Sequence, residues 1–243
     1  MSTKTQRRID QWLTNLGYCS RREARYWARA GRLSTPDGVI KDVSQRVAGS
    51  ELLVDGEPLD HPDGLLILMH KPLGLVCSHT SQEGSTVYDL LPDRWRSRNP
   101  AVNTVGRLDK DTTGVLLFTD LPGLIQQLTS PRSKVSKVYQ AQLDKPADLP
   151  RLTEAFTSGE LLLEGESKPC APAQIRSLPE RDPSWLEVTI MEGRYHQVRR
   201  MFGAFEYEVI TLHRQAFGPW TVAHLDQSSY EVLPPDFDLA FAR

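Results

Sequence analysis

Gly106-Arg107-Leu108-Asp109-Lys110-Asp111-Thr112-Thr113-Gly114 sets an arginine and two carboxylates between glycines, and the apolar run Val115-Leu116-Leu117-Phe118 follows at once. That run is β-branched and short enough for a buried strand, so the loop holds an acid at the edge of a rigid sheet. Catalytic groups favour such positions. The same spacing also fits an Asx-type turn, in which Asp109 or Asp111 caps neighbouring backbone amides.

Two further stretches carry chemically useful side chains. Lys137-Val138-Tyr139 opens a strand-like run, where Tyr139 reads as a core tyrosine with its hydroxyl in water. Arg194, Arg199 and Arg200 fall within seven residues with Glu192 the only acid nearby, on a stretch that reads as strand, turn and helix. Val198, Met201, Phe202 and Phe205 have helical spacing and form its packing face.

The elements that position these groups follow from pattern. Ile9, Trp12, Leu13 and Leu16 form one apolar helical stripe ended by Gly17. Ser20 and Glu23 make a capping box that starts a second helix running to about Gly31. On it Arg21, Arg25, Arg29 and Arg32 make one basic stripe, with Ala24, Trp27 and Ala28 facing the other way. Val39-Ile40 and Ala48 to Val54 are expected strands, with Asp37-Gly38 and Asp55-Gly56 as turns, and Leu59 to Gly64 is an expected linker. Beyond it, strands are expected at Leu65 to Lys71, Val102 to Val105, Val115 to Thr119, Val138 to Leu143, Leu161 to Leu163 and Leu186 to Ile190. Helices near 121–129, 148–158 and 195–205 separate them without regular βαβ alternation. The expected fold class is therefore α+β with a mainly antiparallel sheet.

Composition narrows the function classes. With 243 residues, 39% hydrophobic and 25% charged, the chain fits an ordinary soluble protein of one large or two smaller domains. No run approaches the length of a membrane span and the start lacks a signal-peptide apolar region, so a cytoplasmic location is expected. Cys19, Cys77 and Cys170 are far apart and the six histidines lack metal-ligand spacing, so free thiols and no metal site are expected. The net charge of −2 hides a basic start: residues 1–32 hold Lys4 and seven arginines against Asp10 and Glu23, a local +6. Few acids alternate with the stripe's arginines, which favours a polyanion partner over a merely solvated face.

Gly-Arg-Leu-Asp at 106–109, followed by Thr-Thr-Gly and an apolar strand, resembles the catalytic loop of the pseudouridine synthases, in the RsuA branch that acts on small-subunit ribosomal RNA. Ser130-Pro131-Arg132 with Lys137-Val138-Tyr139 resembles the second motif of that branch, and Glu192 to Phe202 its third. The first 60 residues resemble an S4 RNA-binding domain, departing from it where Ser34-Thr35-Pro36-Asp37 replaces the usual valine-rich strand.

The resemblance implies an S4-like domain over 1–60 and a catalytic domain over 65–243. It implies isomerisation of a uridine in ribosomal RNA or an assembly intermediate by a monomer, without metal or cofactor. Asp109 is then the catalytic carboxylate, attacking C1′ or assisting a glycal route, Tyr139 stacks on the base and acts as a base, and Arg199 pairs with Asp109. Arg107 enters the RNA stack vacated by the target base, Val198 touches uracil, Lys137 meets a phosphate, and Arg194 and the stripe Arg21, Arg25, Arg29 and Arg32 complete the RNA contacts. Asp111 belongs to loop structure, and His196 either contacts RNA or supports its turn. Three rivals remain: a large-subunit target, a non-catalytic S4 assembly factor, and a hydrolase using Asp109 with Asp111 that would release uracil.

Overall fold

The computed structural model describes residues 5–80, 82 and 84–234. These fall into two compact units. The first gathers the chain up to Leu66 with Leu91–Asn103 and Thr119–Pro122, and the second holds the rest. Lys4 and the carboxy-terminal residues 235–243 lie outside the described residues.

In the first unit a short strand β1 (Gln6–Arg8) leads into helices α1 (Ile9–Asn15) and α2 (Arg21–Arg29). The expected stripe Ile9, Trp12, Leu13 and Leu16 is buried, together with Ala24 and Ala28 from α2 and Leu33, Leu52 and Leu59. Burial of each such leucine or isoleucine contributes about 1.5–3 kcal/mol. Gly17 ends α1 at a φ of +76°, where a side chain would be strained, and the Tyr18 amide returns to the Leu13 carbonyl at 2.9 Å. Ser20 and Glu23 form the expected capping box, with Ser20 N–H to Glu23 Oε2 at 2.8 Å.

The helix closes earlier than its arginine spacing implies. It stops at Arg29, so Arg32 lies beyond it, bound to Asp55 at 2.5 Å and stacked on Trp27 at 4.0 Å. Strands β2 (Leu33–Thr35) and β3 (Gly38–Val39) form a hairpin over Pro36-Asp37. After β4 (Arg46–Ala48), paired with β1, come β5 (Leu53–Val54) and β6 (Glu57–Pro58), giving a sheet in the order β3-β2-β5-β6. The single strand expected from Ala48 to Val54 is broken by a 3₁₀ turn at Gly49–Glu51, where Gly49 lies so close to Pro62 and Trp12 that a Cβ would overlap them. The expected linker is tied down as well. Asp60 accepts from Arg94 and Trp95 of helix α3 (Asp93–Arg96), each at 2.6 Å, and its amide donates to the Tyr18 hydroxyl.

The second unit is built on a sheet in the order β11-β12-β10-β13-β9-β7-β15. Its strands are β7 (Leu66–Lys71), β8 (Asn103–Thr104), β9 (Thr112–Thr119), β10 (Lys137–Leu143), β11 (Gln174–Ser177), β12 (Trp185–Ile190), β13 (Val209–Phe217), β14 (Trp220–Thr221) and β15 (Tyr230–Val232). Helices α4 (Pro122–Thr129), α5 (Leu149–Ser158) and α6 (Gln197–Gly203) lie near their expected places. Among the pairings between β10, β11, β12 and β13 every one is antiparallel, whereas β9 runs parallel to β13, so the α+β class with a mainly antiparallel sheet holds. All eight residues of β9 are buried, which is why its central Val115-Leu116-Leu117-Phe118 is an unbroken apolar run and not an alternation. The expected strand at 161–163 is irregular chain, and the longest strand, β13, has no counterpart among the expectations.

Candidate active site

The loop carrying Asp109 is fixed from beneath. Lys71, at the end of β7, is fully buried and donates its Nζ to the carbonyls of Thr112 at 2.9 Å, Pro72 at 3.0 Å and Lys110 at 3.4 Å. Burial pushes this amine below the ordinary lysine pKa, offset in part by Cys77 and the loop aspartates. The Thr112 amide closes the turn on the Asp109 carbonyl at 3.1 Å. Thr113 then bonds His213 Nδ1 at 2.8 Å, and Gly114, at a φ of +108°, lies where a Cβ would overlap the Arg214 backbone of the parallel strand. The Thr-Thr-Gly sequence is thus a docking edge that sets the aspartates against β13.

Asp109 meets two side chains from the third motif. His196 Nε2 is 3.3 Å from Oδ1, and Arg199 Nε is 3.9 Å from Oδ2. The shorter bonds of Arg199 go elsewhere: Nη2 to the Asp111 carboxylate at 2.8 Å and Nη1 to the Val209 carbonyl at 2.7 Å. The expected Arg199–Asp109 pairing is therefore the looser of two contacts, and Asp111, expected to serve only the loop, is the closer partner. His196 reaches Asp109 from the left-handed region, φ 47°, just before α6, and its ring stacks on Tyr195 at 3.9 Å between centroids.

The site floor is one face of β12, β10 and β13. Lys137 and Tyr139 alternate onto that face of β10, where Lys137 pairs with Ile190 and Tyr139 with Arg214. Arg214 and Phe217 are three apart, an odd separation that would point them to opposite faces. The register shift opposite Val138/Tyr139 inserts one extra residue in β13 and returns both to the pocket. With Val198 and Asp109 these residues line a cavity of about 700 Å³. Tyr139 is only 8% exposed, buried at the strand and open to the cavity.

The remaining expected residues are placed as follows. Arg107 is exposed at the cavity rim, following Gly106 at a φ of +71°. Val198 is buried on α6 and faces the cavity. Lys137 donates to the Val135 carbonyl at 2.7 Å and sits over Phe217, and its pKa falls to about 8 through burial and the nearby Arg214. Arg194 is consumed internally, bonding Glu192 at 3.3 Å and the carbonyls of Lys168 and Pro169 at 2.6 and 2.5 Å. It clamps the turn and leaves little for RNA. Arg21, Arg25 and Arg29 are exposed on α2 of the first unit.

Three residues of the site escaped the sequence reading. Lys71 stood only as the last residue of an expected strand, and Arg214 and Phe217 lay in β13, where no strand was expected, so local pattern gave no signal of either. Among the described residues no group of three or more His, Cys, Asp or Glu is arranged to hold a metal ion, and no helix is long and apolar enough to cross a membrane.

Residues 65–204 match the RNA pseudouridylate synthase family and residues 7–53 the S4 domain. The chain is 36% identical to the ribosomal small subunit pseudouridine synthase A of Pseudomonas aeruginosa, over 87% of this chain and 89% of that protein. It is 32% identical to the protein of the same name from Escherichia coli, over 93% and 96%, and 31% identical to ribosomal large subunit pseudouridine synthase B of Bacillus subtilis, over 94% and 92%. A solved pseudouridylate synthase structure superimposes with a TM-score of 0.63 at 29% identity, covering 93% of this chain and 95% of that one.

Proposed function

The chain belongs to the RNA pseudouridylate synthase family and carries an S4 domain, and from that premise we propose that it converts one uridine of small-subunit ribosomal RNA to pseudouridine. The observation that carries the reading is Asp109, held at a cavity whose floor is Tyr139 and whose wall includes His196 and Val198. The small-subunit target rests on similarity to the two synthases A over nearly their whole length. Likeness to a large-subunit synthase keeps that RNA as the second reading.

In this reading residues 1–60 anchor the RNA through Arg21, Arg25 and Arg29, and residues 65–243 do the chemistry, as a monomer in the cytoplasm on ribosomal RNA or an assembly intermediate. The target base leaves its stack and lies on Tyr139, and Arg107 fills the gap, offsetting the few kcal/mol lost on flipping. Asp109 acts at the ribose, attacking C1′ or assisting a glycal route. Arg199 holds the Asp109–Asp111 loop against α6. The isomerisation has no net redox change and calls on organic groups alone.

Pseudouridine mapping in ribosomal RNA from cells with and without the protein tests the reading. Loss of one small-subunit site is expected, loss of a large-subunit site moves the target, and an unchanged map refutes the function. Release of free uracil from RNA would instead mark a hydrolase.

A further inference from the structure

Two cations lie on the cavity floor, and among the described residues no carboxylate is bound to them. Arg214 is 2% exposed, and its Nε donates to the Val115 carbonyl at 2.7 Å, while Nη2 is buried without a hydrogen-bond partner. Lys137 stands beside it on the neighbouring strand, and both cations lie 5.2 Å from the centre of the Phe217 ring. The acids nearby are engaged elsewhere: Asp109 and Asp111 with His196 and Arg199, and Glu192 with Arg194 and Gln197. A buried guanidinium N–H without a partner costs free energy in the resting protein, so an acceptor in the working state is its natural complement.

We propose that Lys137 and Arg214 form a cationic floor that stabilises the uracil anion released when the glycosidic bond breaks. This rests on the reading of the site as a pseudouridine synthase. Breaking N1–C1′ sends the electron pair to the ring, where it spreads over N1, O2 and O4. C1′ is meanwhile held by Asp109 or becomes part of a glycal after loss of the C2′ proton. After the base turns, C5 bonds to C1′ as the Asp109–C1′ bond breaks or, in the glycal route, as the proton returns to C2′; the C5 proton then passes to a base, and N1 takes up a proton. The ring is an anion between the two bond changes only, so donors at the floor bind that state more strongly than neutral uridine, which is the condition for speeding the step.

Position favours the ring over a backbone phosphate. Lys137, Tyr139 and Arg214 share one sheet face, with Tyr139 and Arg214 directly paired, so a base lying on Tyr139 has both cations at its edge. Phosphates remain in water at the rim, where the exposed Arg107 is found. The lowered pKa of Lys137, caused by burial and by Arg214, fits a cation pair awaiting negative charge.

The test uses the whole protein and a target-site RNA containing uridine or 5-fluorouridine, whose fluorine makes the departing base more acidic and less dependent on outside stabilisation. Single-turnover loss of the N-glycoside is compared with RNA affinity for Lys137→Met and Arg214→Lys. Lys137→Met, at a half-buried position, keeps the readout if the buried Arg214 variant fails to fold. With uridine we expect Lys137→Met to slow the step by about a hundredfold, the size of one lost oxyanion donor, and affinity to change less than about threefold. With 5-fluorouridine the loss should shrink to under about tenfold. Equal losses on both RNAs, or a loss confined to salt-sensitive affinity as for a phosphate ligand, would overturn the proposal. Failure of the unaltered protein to make pseudouridine would overturn the functional reading and the inference together.

Discussion

Arg199 grips Asp111 at 2.8 Å and stands 3.9 Å from Asp109, so the guanidinium is anchored on one loop aspartate and overlooks the other. Asp111 is the more exposed of the two carboxylates, with 65% of its side-chain surface open against 28% for Asp109. In the proposed reaction this geometry divides their work: Asp111 holds Arg199 against the loop, and Asp109, with its bonds looser, is the carboxylate that acts on the ribose.

Asp109→Asn should abolish turnover while RNA affinity stays within about tenfold, roughly 1.4 kcal/mol. Asp111→Asn should slow single turnover without abolishing it, because a neutral amide still accepts from Arg199. Arg199→Met should cut the saturated rate more than the affinity. Normal turnover by the Asp109 variant, or an Asp111 variant as dead as it, would refute this division.

Lys71→Met should remove the clamp under the loop. It leaves the buried Thr112 carbonyl without its 2.9 Å donor, at a cost of about 1–3 kcal/mol. A displacement of the carboxylate by about 1 Å can cost about a hundredfold in rate. Thermal unfolding and the single-turnover rate check both halves. A variant that loses stability and keeps its rate would reduce Lys71 to a purely structural role.

What the sequence made legible were the parts governed by local rules. The capping box at Ser20 and Glu23, the apolar stripe of α1 and the buried run of β9 each announce themselves within a few residues. β13 does not, because its Thr211, His213, Arg214 and Gln215 break any apolar pattern, and its register depends on a bulge opposite β10. Arg32 fell on helical spacing, yet the helix ends at Arg29 and a distant Asp55 takes its charge. The contact of Asp111 with Arg199 was hidden for the same reason, since the two lie 88 residues apart.

His213 provides a pH dependence whose sign is fixed. Burial, with a smaller contribution from His70, pulls its pKa down to about 4 from 6.5. The folded state therefore binds fewer protons than the unfolded chain between those values, and stability falls as pH drops from about 6.5 toward 4. His213→Gln keeps a group able to bond Thr113 and removes this titration. The melting temperature of the variant should fall less than that of the unaltered protein between pH 7 and pH 5, a difference of about a few degrees. Parallel decline of the two proteins would assign acid sensitivity to other groups.

Arg21, Arg25 and Arg29 should supply sequence-independent affinity, since all three are exposed on one face of α2 and reach phosphates more readily than base edges in folded RNA. Each phosphate contact steepens the dependence of log affinity on log salt by about 0.7 to 0.9. Replacing the three by glutamine should therefore flatten that slope by about 2 to 3, and lower the saturated rate much less, because Asp109 belongs to the second unit. Arg32→Gln is the internal control. Its guanidinium is already bound to Asp55 and stacked on Trp27, so it has little charge to offer a phosphate, and its loss should leave the slope almost unchanged while lowering the melting temperature. A slope that falls as much for Arg32 as for each helix arginine would mean that RNA displaces Asp55, and a saturated rate that collapses with affinity would end the division of anchoring and chemistry between the units.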